Sequence, residues 1–443
     1  MMGSEAEAQP SSPQKGFSRS EWSLILVLVA VQFTHMVDFV IMMPLGERFM
    51  NELFLAKPIF GIQFSSEHQF GLVVSAYAWA AGLASLAASL VMDRFDRRTV
   101  LLVMYSGFTV STYLCGVAWN FESMLAARFL AGSFGGVAAV ALNAIIGDVF
   151  PPERRGRATG AVMSAFAVAS VAGLPVGLAL ADWFGRAAPF AVLAVVSAMV
   201  WVIAWFKLPA IRGHMTAVRK SKLEEFMAVV KAPNHLKAFV FSFFLVLGTF
   251  TVASFIAPYL RRINGWKEGD LAVIYFFAGI STLVGMNVVG RLADRFPRRP
   301  LYQILAGLAL VTAVVVTNLP PGPLWVATVV LTLFMVFAAG RMVPAQTILL
   351  GAAAPRVRGA FLSLNTAVQH LATGAAASIA GLLVGEDFSG FPLVGVVAAI
   401  TAAISIVLIV FIRHAPTDRA VSAVVETVHD SPVIVAEPKP TAA

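Results

Sequence analysis

The sequence predicts an all-α membrane protein: twelve transmembrane helices in two pseudo-symmetric six-helix bundles. Three observations predict it. Of the 443 residues, 58% are hydrophobic and only 13% are charged, about half the charged share of an ordinary soluble domain. The apolar residues come in blocks of about 20 or more, the length that crosses a ~30 Å hydrocarbon core. Two landmark loops recur along the chain at a nearly constant offset.

The blocks place spans at 22–46, 67–92, 99–119, 121–148, 156–181, 187–208, 236–260, 269–293, 300–318, 322–350, 358–384 and 391–413. The first is too long for a cleaved signal and has no small-residue cleavage site, so it stays a span. The spans within 21–208 form one bundle and those within 236–413 the other. Residues 1–20 and 414–443 read as disordered tails, rich in polar residues and proline. Residues 209–235 read as a linker. Within it, Leu223, Phe226, Met227 and Val230 recur at helical spacing, surrounded by Arg219, Lys220, Lys222 and Lys231. That is the pattern of an amphipathic helix lying on a membrane surface.

Charge sets the orientation. Most of the 32 Lys and Arg fall in the tails, the linker and the loops at 94–98, 154–157, 295–299 and 356–358. The positive-inside rule puts that side, with both termini, in the cytoplasm of an inner (plasma) membrane. The formal charge of +8 is then a topology signal, not a nucleic-acid footprint. The single cysteine, Cys115, excludes an internal disulfide and any Cys-based metal site. No P-loop, GxSxG, HExxH or CxxC is present, so no ATP-driven pump, no enzyme, no cofactor and no metal is expected.

The repeat gives the loops a task. Asp93-Arg94-Phe95-Asp96-Arg97-Arg98 follows the second span, and Asp294-Arg295-Phe296-Pro297-Arg298-Arg299 follows the eighth, 201 residues later. Pro152-Glu153-Arg154-Arg155-Gly156 and Pro355-Arg356-Val357-Arg358-Gly359 follow the fourth and tenth spans, 203 residues apart. A carboxylate just past a helix, then a tight basic turn, can hold the N-terminus of a neighbouring helix. Conformational gating therefore falls to Asp93, Arg97, Arg98, Asp294 and Arg298, with Asp148 a partner for Arg97 or Arg98. Parallel repeats place a substrate site between the halves near the midplane.

These landmarks resemble the major facilitator superfamily, over nearly all of residues 20–413. Its loop pattern G-x-L-a-D-r-x-G-r-r is matched by Gly290-Arg291-Leu292-Ala293-Asp294-Arg295. The first copy keeps Asp93, Arg94, Arg97 and Arg98 but has Ser89 and Asp96 where glycines are usual. The fourth-span pattern is present as Arg128-Phe129-Leu130-Ala131-Gly132, then Gly135 and Gly136. Gly173-Leu174-Pro175-Val176-Gly177 is similar to the Gly-Pro step of proton-driven exporters, displaced by one residue. That form resembles the drug:proton antiporter and arabinose-efflux-like branch. The resemblance implies rocking of two bundles and alternating access. It further implies proton-coupled efflux of a small amphipathic, drug-like or sugar-like solute, with gating work at Gly173 and Pro175. The expected partners are a small-molecule substrate, protons and the bilayer, with the protein a monomer. Two alternatives stay open: a solute:proton symporter for an anionic or hydroxylated metabolite, and a non-transporting receptor on the same fold.

Ionisable residues at bilayer depth are costly, and so mark function or a satisfied pair. Asp38 is the only carboxylate near mid-depth, and Gln32, His35 and Asp38 share one helix face. Arg128 lies at similar depth on the fourth span. Asp38, Arg128 and His35 are the proton-coupling candidates, with a structural bridge the other reading of Arg128. Arg341 follows Gly340 and precedes Pro344. The repeat offset puts Ala138 in its place in the first half. Its guanidinium suits an anionic, zwitterionic or hydroxyl-rich solute, or it snorkels to the surface. Gln369 and His370 lie near mid-depth in the eleventh span, as ligand groups or as packing. Gln32, Arg341, Gln369, His370 and Asn143 are the substrate-contact candidates, although Asn143 also suits an interhelical contact. This assigns proton coupling to the first half and much of substrate choice to the second.

Overall fold

The computed structural model describes residues 17–54, 58–59, 62–212 and 222–415. The expectations for residues 1–16, 213–221 and 416–443 lie outside the described residues. The first half contains α1 (Arg19–Ile41), α2 (Gly46–Glu52), α3 (Ser66–Val91), α4 (Arg97–Gly116), α5 (Phe121–Val149), α6 (Pro152–Val168), α7 (Leu174–Phe184) and α8 (Ala188–Lys207). The second contains α9 (Lys222–Lys231), α10 (Pro233–Ala253), α11 (Ile256–Asn264), α12 (Glu268–Arg295), α13 (Arg298–Thr317), α14 (Leu324–Gly340), α15 (Met342–Ala352), α16 (Arg358–Leu383) and α17 (Phe391–Leu408). The one departure from an all-helical chain among the described residues is a two-residue antiparallel pair, β1 (Pro58–Ile59) with β2 (Ile62–Gln63).

Side-chain caps start several of these helices. Ser18 accepts from the Glu21 amide while Glu21 accepts from the Ser18 amide, a reciprocal cap on α1. Ser65 caps α3 and Asn120 caps α5 in the same manner of side chain to backbone. Four helix interruptions share one cause. Proline has no N–H, so the carbonyl four residues earlier loses its partner. Pro44 stands behind the end of α1, Pro258 behind the α10–α11 break, and Pro344 behind the α14–α15 break at Arg341. Pro175 stands behind the fourth, a π-helical turn at Ala169–Gly173 between α6 and α7. A π-turn holds one residue more than an α-turn, and the one-residue displacement of the Gly-x-Pro step falls there. The expected first span of 22–46 is cut short at Ile41 for the same reason.

Eleven described segments are long and apolar enough to cross a membrane by length and composition. The twelfth, α16, has 26 residues but is diluted by Asn365, Gln369 and His370. The polar dilution of α16 is part of the site described below.

Within the first half α5 packs on α3 and α4, α8 on α4, and α1 on α6. Within the second half α10 packs on α16 and α17, α12 on α14, and α13 on α17. The broadest contacts between the halves are α3 with α16, and α7 with its π-turn against α12; α2 with α11 and α6 with α12 add smaller ones. The backbones meet closely there. A Cβ on Gly71 would fall 2.6 Å from the Ala377 carbonyl oxygen, so only glycine fits. The linker helix α9 differs from the expected surface helix. Phe226 and Val229 are buried against the second half, beside Ala238 and Phe361, while Met227 and Val230 face outward.

Candidate functional site

The two ends of the molecule are unlike. A cavity of about 790 Å³ runs inward from the face that carries the 93–98 loop and the described residues Phe17 and Ala415, here the terminal face. Asp93, Arg97, Arg155 and Glu225 line its outer part; Asn143 and His370 line it further in. The opposite, far face is closed by ion pairs between the halves. Arg48 of α2 meets Glu268 of α12 at 3.2 Å, and Glu47 meets Arg261 of α11 at 3.1 Å. Arg261 also pairs with Glu268, and Arg262 lies 3.6 Å from Glu67 of α3. Glu52 links Arg48 and Arg186 to the same group. Glu47 lies outside the spanning segments; burial raises its carboxyl above the ordinary value of 4.5, against the pull of Arg261 and Arg262, and nearby Glu268 adds to the rise.

Between the two faces lies a fully buried pair. Arg128 Nη1 donates to Asp38 Oδ2 at 2.9 Å and to the Asp38 carbonyl at 3.1 Å. Both side chains are 0% exposed. Thr112 of α4 donates to the other carboxylate oxygen at 3.1 Å. The guanidinium carbon sits 4.2 Å from the Tyr77 ring centroid, a cation–π contact that adds to the pair where water is excluded.

Beside this pair is an aromatic box at the seam. The His35 ring lies 6.2 Å from Tyr77 and 5.7 Å from Phe108, and Phe39 lies 5.5 Å from Tyr77. Phe39 reaches the second half at Phe250, 5.8 Å away. Both His35 ring nitrogens and the Tyr77 hydroxyl are buried with no hydrogen-bond partner among the described residues. Gly135 lets the α5 backbone approach both rings: a Cβ there would fall 2.8 Å from His35 Nε2 and 3.2 Å from the Tyr77 oxygen. His370 approaches from α16, where a Cβ on Gly82 of α3 would fall 3.0 Å from its own Cβ. Gln369 Nε2 and Asn365 Oδ1 are likewise buried without partners. Gln32 is buried one turn before His35.

The remaining candidates divide. Arg341 is 2% exposed and does not snorkel; its Nη2 donates to Thr249 Oγ1 at 2.7 Å and to the Leu245 carbonyl at 3.2 Å, both on α10. Asn143 donates its amide to Ala139 of its own helix, at 3.0 Å. On the terminal face Arg97 joins Asp93 at 2.5 Å to Asp148 at 2.9 Å. Arg98 does not take that place: it donates to the Trp205 carbonyl and lies over the Trp205 ring. Asp294 and Arg298, the second-half counterparts, are exposed, and no ion pair holds either among the described residues. The repeat offset explains the asymmetry, since the position matching Asp148 is Gly351. Gly173 packs on α1, where a Cβ would meet Val37 at 2.4 Å, and Pro175 begins the helix beyond the π-turn.

Sequence reasoning missed Tyr77, Thr112, Gly135 as a spacer, and the far-face ion pairs. Gly135 and Gly136, which follow Arg128 in the fourth-span pattern, are the available signal. The far-face pairs leave no local signal, because the partners that join the halves lie far apart in the sequence.

Comparison with known proteins agrees with this architecture. The family model described as Major Facilitator Superfamily matches residues 27–332 and 238–440. An uncharacterized MFS-type transporter, YceJ, of Bacillus subtilis (strain 168) is 27% identical over 345 residues, covering 75% of this chain and 85% of that protein. A probable sugar efflux transporter of Pasteurella multocida (strain Pm70) is 24% identical over 361 residues, covering 78% of this chain and 83% of that protein. Among solved structures, a D-xylose-proton symporter shares the fold at a TM-score of 0.69 and 15% identity, covering 87% of this chain and 97% of that one. A bacterial homolog of the human lysosomal transporter Spinster, inward-facing and unoccupied, does so at 0.67 and 18%, covering 90% and 95%. With its two linked halves, its repeated loops and a family match that spans both, this chain belongs to the major facilitator superfamily and is a transporter of that fold.

Proposed function

We propose that the protein exports a hydroxylated, sugar-like solute in exchange for protons, by alternating access across the inner (plasma) membrane, with the terminal face in the cytoplasm. One observation carries the reading. His35 and Tyr77, packed on the Gly135 backbone, hold three buried polar atoms that have no partner among the described residues. Each such atom costs about 1–3 kcal/mol unless something satisfies it. A solute with several hydroxyls supplies those partners, and the rings of Phe39, Tyr77 and Phe250 offer faces to its C–H surface. His370, Gln369 and Gln32 complete the polar set, and Asn143 meets the solute on its way through the cavity. Relatives named as probable sugar efflux transporters support the same class.

The coupling follows from charge. Asp38, ionised, holds Arg128 through side chain and backbone. A proton on Asp38 cancels the carboxylate charge and releases the guanidinium to a new position under Tyr77. His35 lies in the same box and passes the proton or senses its arrival. Solute and proton then favour different positions of Arg128, which is what exchange requires. Asp93, Arg97 and Asp148 close the terminal face in the other state, with Arg98 positioning the loop and Asp294 and Arg298 acting weakly. The π-turn before Pro175, with Gly173 against α1, is the flexing point.

Inverted membrane vesicles test the exchange. Given an acid interior, they accumulate a labelled sugar, and accumulation falls to the passive level with Asp38→Asn. Accumulation driven instead by an acid exterior would make the protein a symporter, and accumulation indifferent to pH would remove proton coupling.

A further inference from the structure

Six Asp, Glu and Arg side chains are buried among the described residues: Asp38, Glu67, Arg97, Arg128, Glu268 and Arg341. Five have an opposite charge within 4 Å. Asp38 has Arg128, Glu67 has Arg262, Arg97 has Asp93 and Asp148, and Glu268 has Arg48 and Arg261. Arg341 has none. Its neighbours are neutral: the Leu245 carbonyl, the Thr249 hydroxyl and, close by, Tyr302, whose hydroxyl is given to Ser405 at 2.7 Å. Its Nε and Nη1 have no hydrogen-bond partner among the described residues.

A guanidinium stays charged in a protein, so it cannot escape burial by losing its proton. An uncompensated buried charge is among the costliest features a fold can hold. The chain shows the usual remedy five times and omits it once. The omission also falls close to the seam between the halves. Thr249 is only half-buried, and the next residue, Phe250, is the ring that meets Phe39 across the seam. Arg341 is therefore tied to the stretch of α10 that carries the Phe250 ring of the aromatic box. It also sits at the break between α14 and α15, where Pro344 frees the backbone to shift.

We infer that Arg341 is the counter-charge for an anionic group on the transported solute, and that the solute is a hydroxylated carboxylate such as a sugar acid rather than a neutral sugar. One carboxylate neutralises one guanidinium. A doubly charged phosphate would need a second positive group, and the nearest guanidinium of the box, Arg128, is paired with Asp38. Thr249 holds the guanidinium from the second half while the anion binds Nη1 and Nε. This rests on the export reading for the location of the solute and goes beyond it in naming the solute's charge.

Matched pairs of ligands test it on purified full-length protein in detergent. Sodium D-gluconate and sodium D-glucuronate are compared with D-glucose, and sodium chloride at equal ionic strength is the control. The expected result is a rise in the thermal unfolding midpoint of about 2–4 °C with the carboxylates near saturation, and less with glucose or chloride. Arg341→Gln loses the carboxylate-specific rise, Arg341→Lys keeps part of it, and ligand-free Arg341→Gln melts no lower than the wild type because an unpaired charge has been removed. A panel in which no carboxylate exceeds its neutral analogue overturns the inference. So does a carboxylate-specific rise that survives in Arg341→Gln, or an Arg341→Gln protein that fails to fold or melts well below the wild type, since that marks a structural bridge. Export is read separately, as flux in vesicles. Loss of the carboxylate preference with flux intact removes only the inference, and absent flux removes only the export reading.

Discussion

Arg128 holds Asp38 twice with a single nitrogen: Nη1 is 2.9 Å from the carboxylate and 3.1 Å from the backbone carbonyl of the same residue. The pair is thus a clamp between α1 and α5 as well as a charge pair. Removing one partner leaves the other charge buried. Asp38→Asn or Arg128→Gln alone should lower stability by about 3–5 kcal/mol, and the double variant should recover most of that loss. All three should lose transport driven by a pH gradient. Denaturation in detergent, paired with vesicle transport, separates the two effects. A double variant as unstable as the sum of the single ones would deny that the two residues act as a pair.

The two adjacent glycines of α5 should behave differently. A methyl at Gly135 meets the ends of His35 and Tyr77, side chains that can rotate away. Gly135→Ala should therefore cost about 1 kcal/mol of stability and weaken solute binding on the order of tenfold. A methyl at Gly136 falls 2.5 Å from the Ala81 carbonyl oxygen, backbone that cannot rotate. Gly136→Ala should cost about 2–3 kcal/mol with a smaller effect on affinity. Unfolding midpoints and ligand titration check the pair, and the reverse order would place the solute elsewhere.

The far face should respond to acid. Burial raises Glu47 above 4.5 in the closed arrangement, with Arg261, Arg262 and Glu268 as its charged surroundings. A carboxyl with a raised value in one state binds its proton more tightly in that state, so lowering the pH favours it. Acidification from neutrality toward the region just above 4.5 should shift the population toward the closed far face. Labelling of a cysteine placed on the far side of the seam should slow over that range. Glu47→Gln should make labelling independent of pH there; a pH dependence that persists would assign it to another group.

On the terminal face the two repeats should be unequal. Asp93 is engaged by Arg97, which also holds Asp148, whereas Asp294 is exposed and no ion pair holds it among the described residues. Asp93→Asn should reduce flux on the order of tenfold, equivalent to about 1.4 kcal/mol in a barrier. Asp294→Asn should stay within about twofold. Equal losses in initial transport rate would restore a symmetric gate.

The outline of the fold was legible because apolar length and repeated loops are local properties of a chain in a membrane. The span of α16 was legible by position although its polar residues dilute it. Helix interruptions were harder, since an apolar run reads the same whether or not its backbone is continuous; the prolines a few residues past each break were the available signal. In the site, Asp38, Arg128 and Arg341 stood out because charge in an apolar block needs a reason. Tyr77 did not, because an aromatic side chain in a spanning helix reads as ordinary packing. Its role depends on Arg128 lying over its ring and on the close approach of α5 at Gly135, relations that only the folded chain creates. The Glu47–Arg261 pairing was hidden for the same reason, with more than 200 residues between the partners.

The far-face cluster comprises Glu47, Glu52, Glu67 and Glu268 with Arg48, Arg186, Arg261 and Arg262. Its charges cancel. A membrane potential does work of about 2.3 kcal/mol per elementary charge per 100 mV on charge that crosses it. Making or breaking a neutral seam at one edge of the bilayer moves almost none. The voltage sensitivity of a full transport cycle then belongs to the cargo and the exchanged proton, so current measured during turnover reports their stoichiometry directly, free of a gating contribution from the far side.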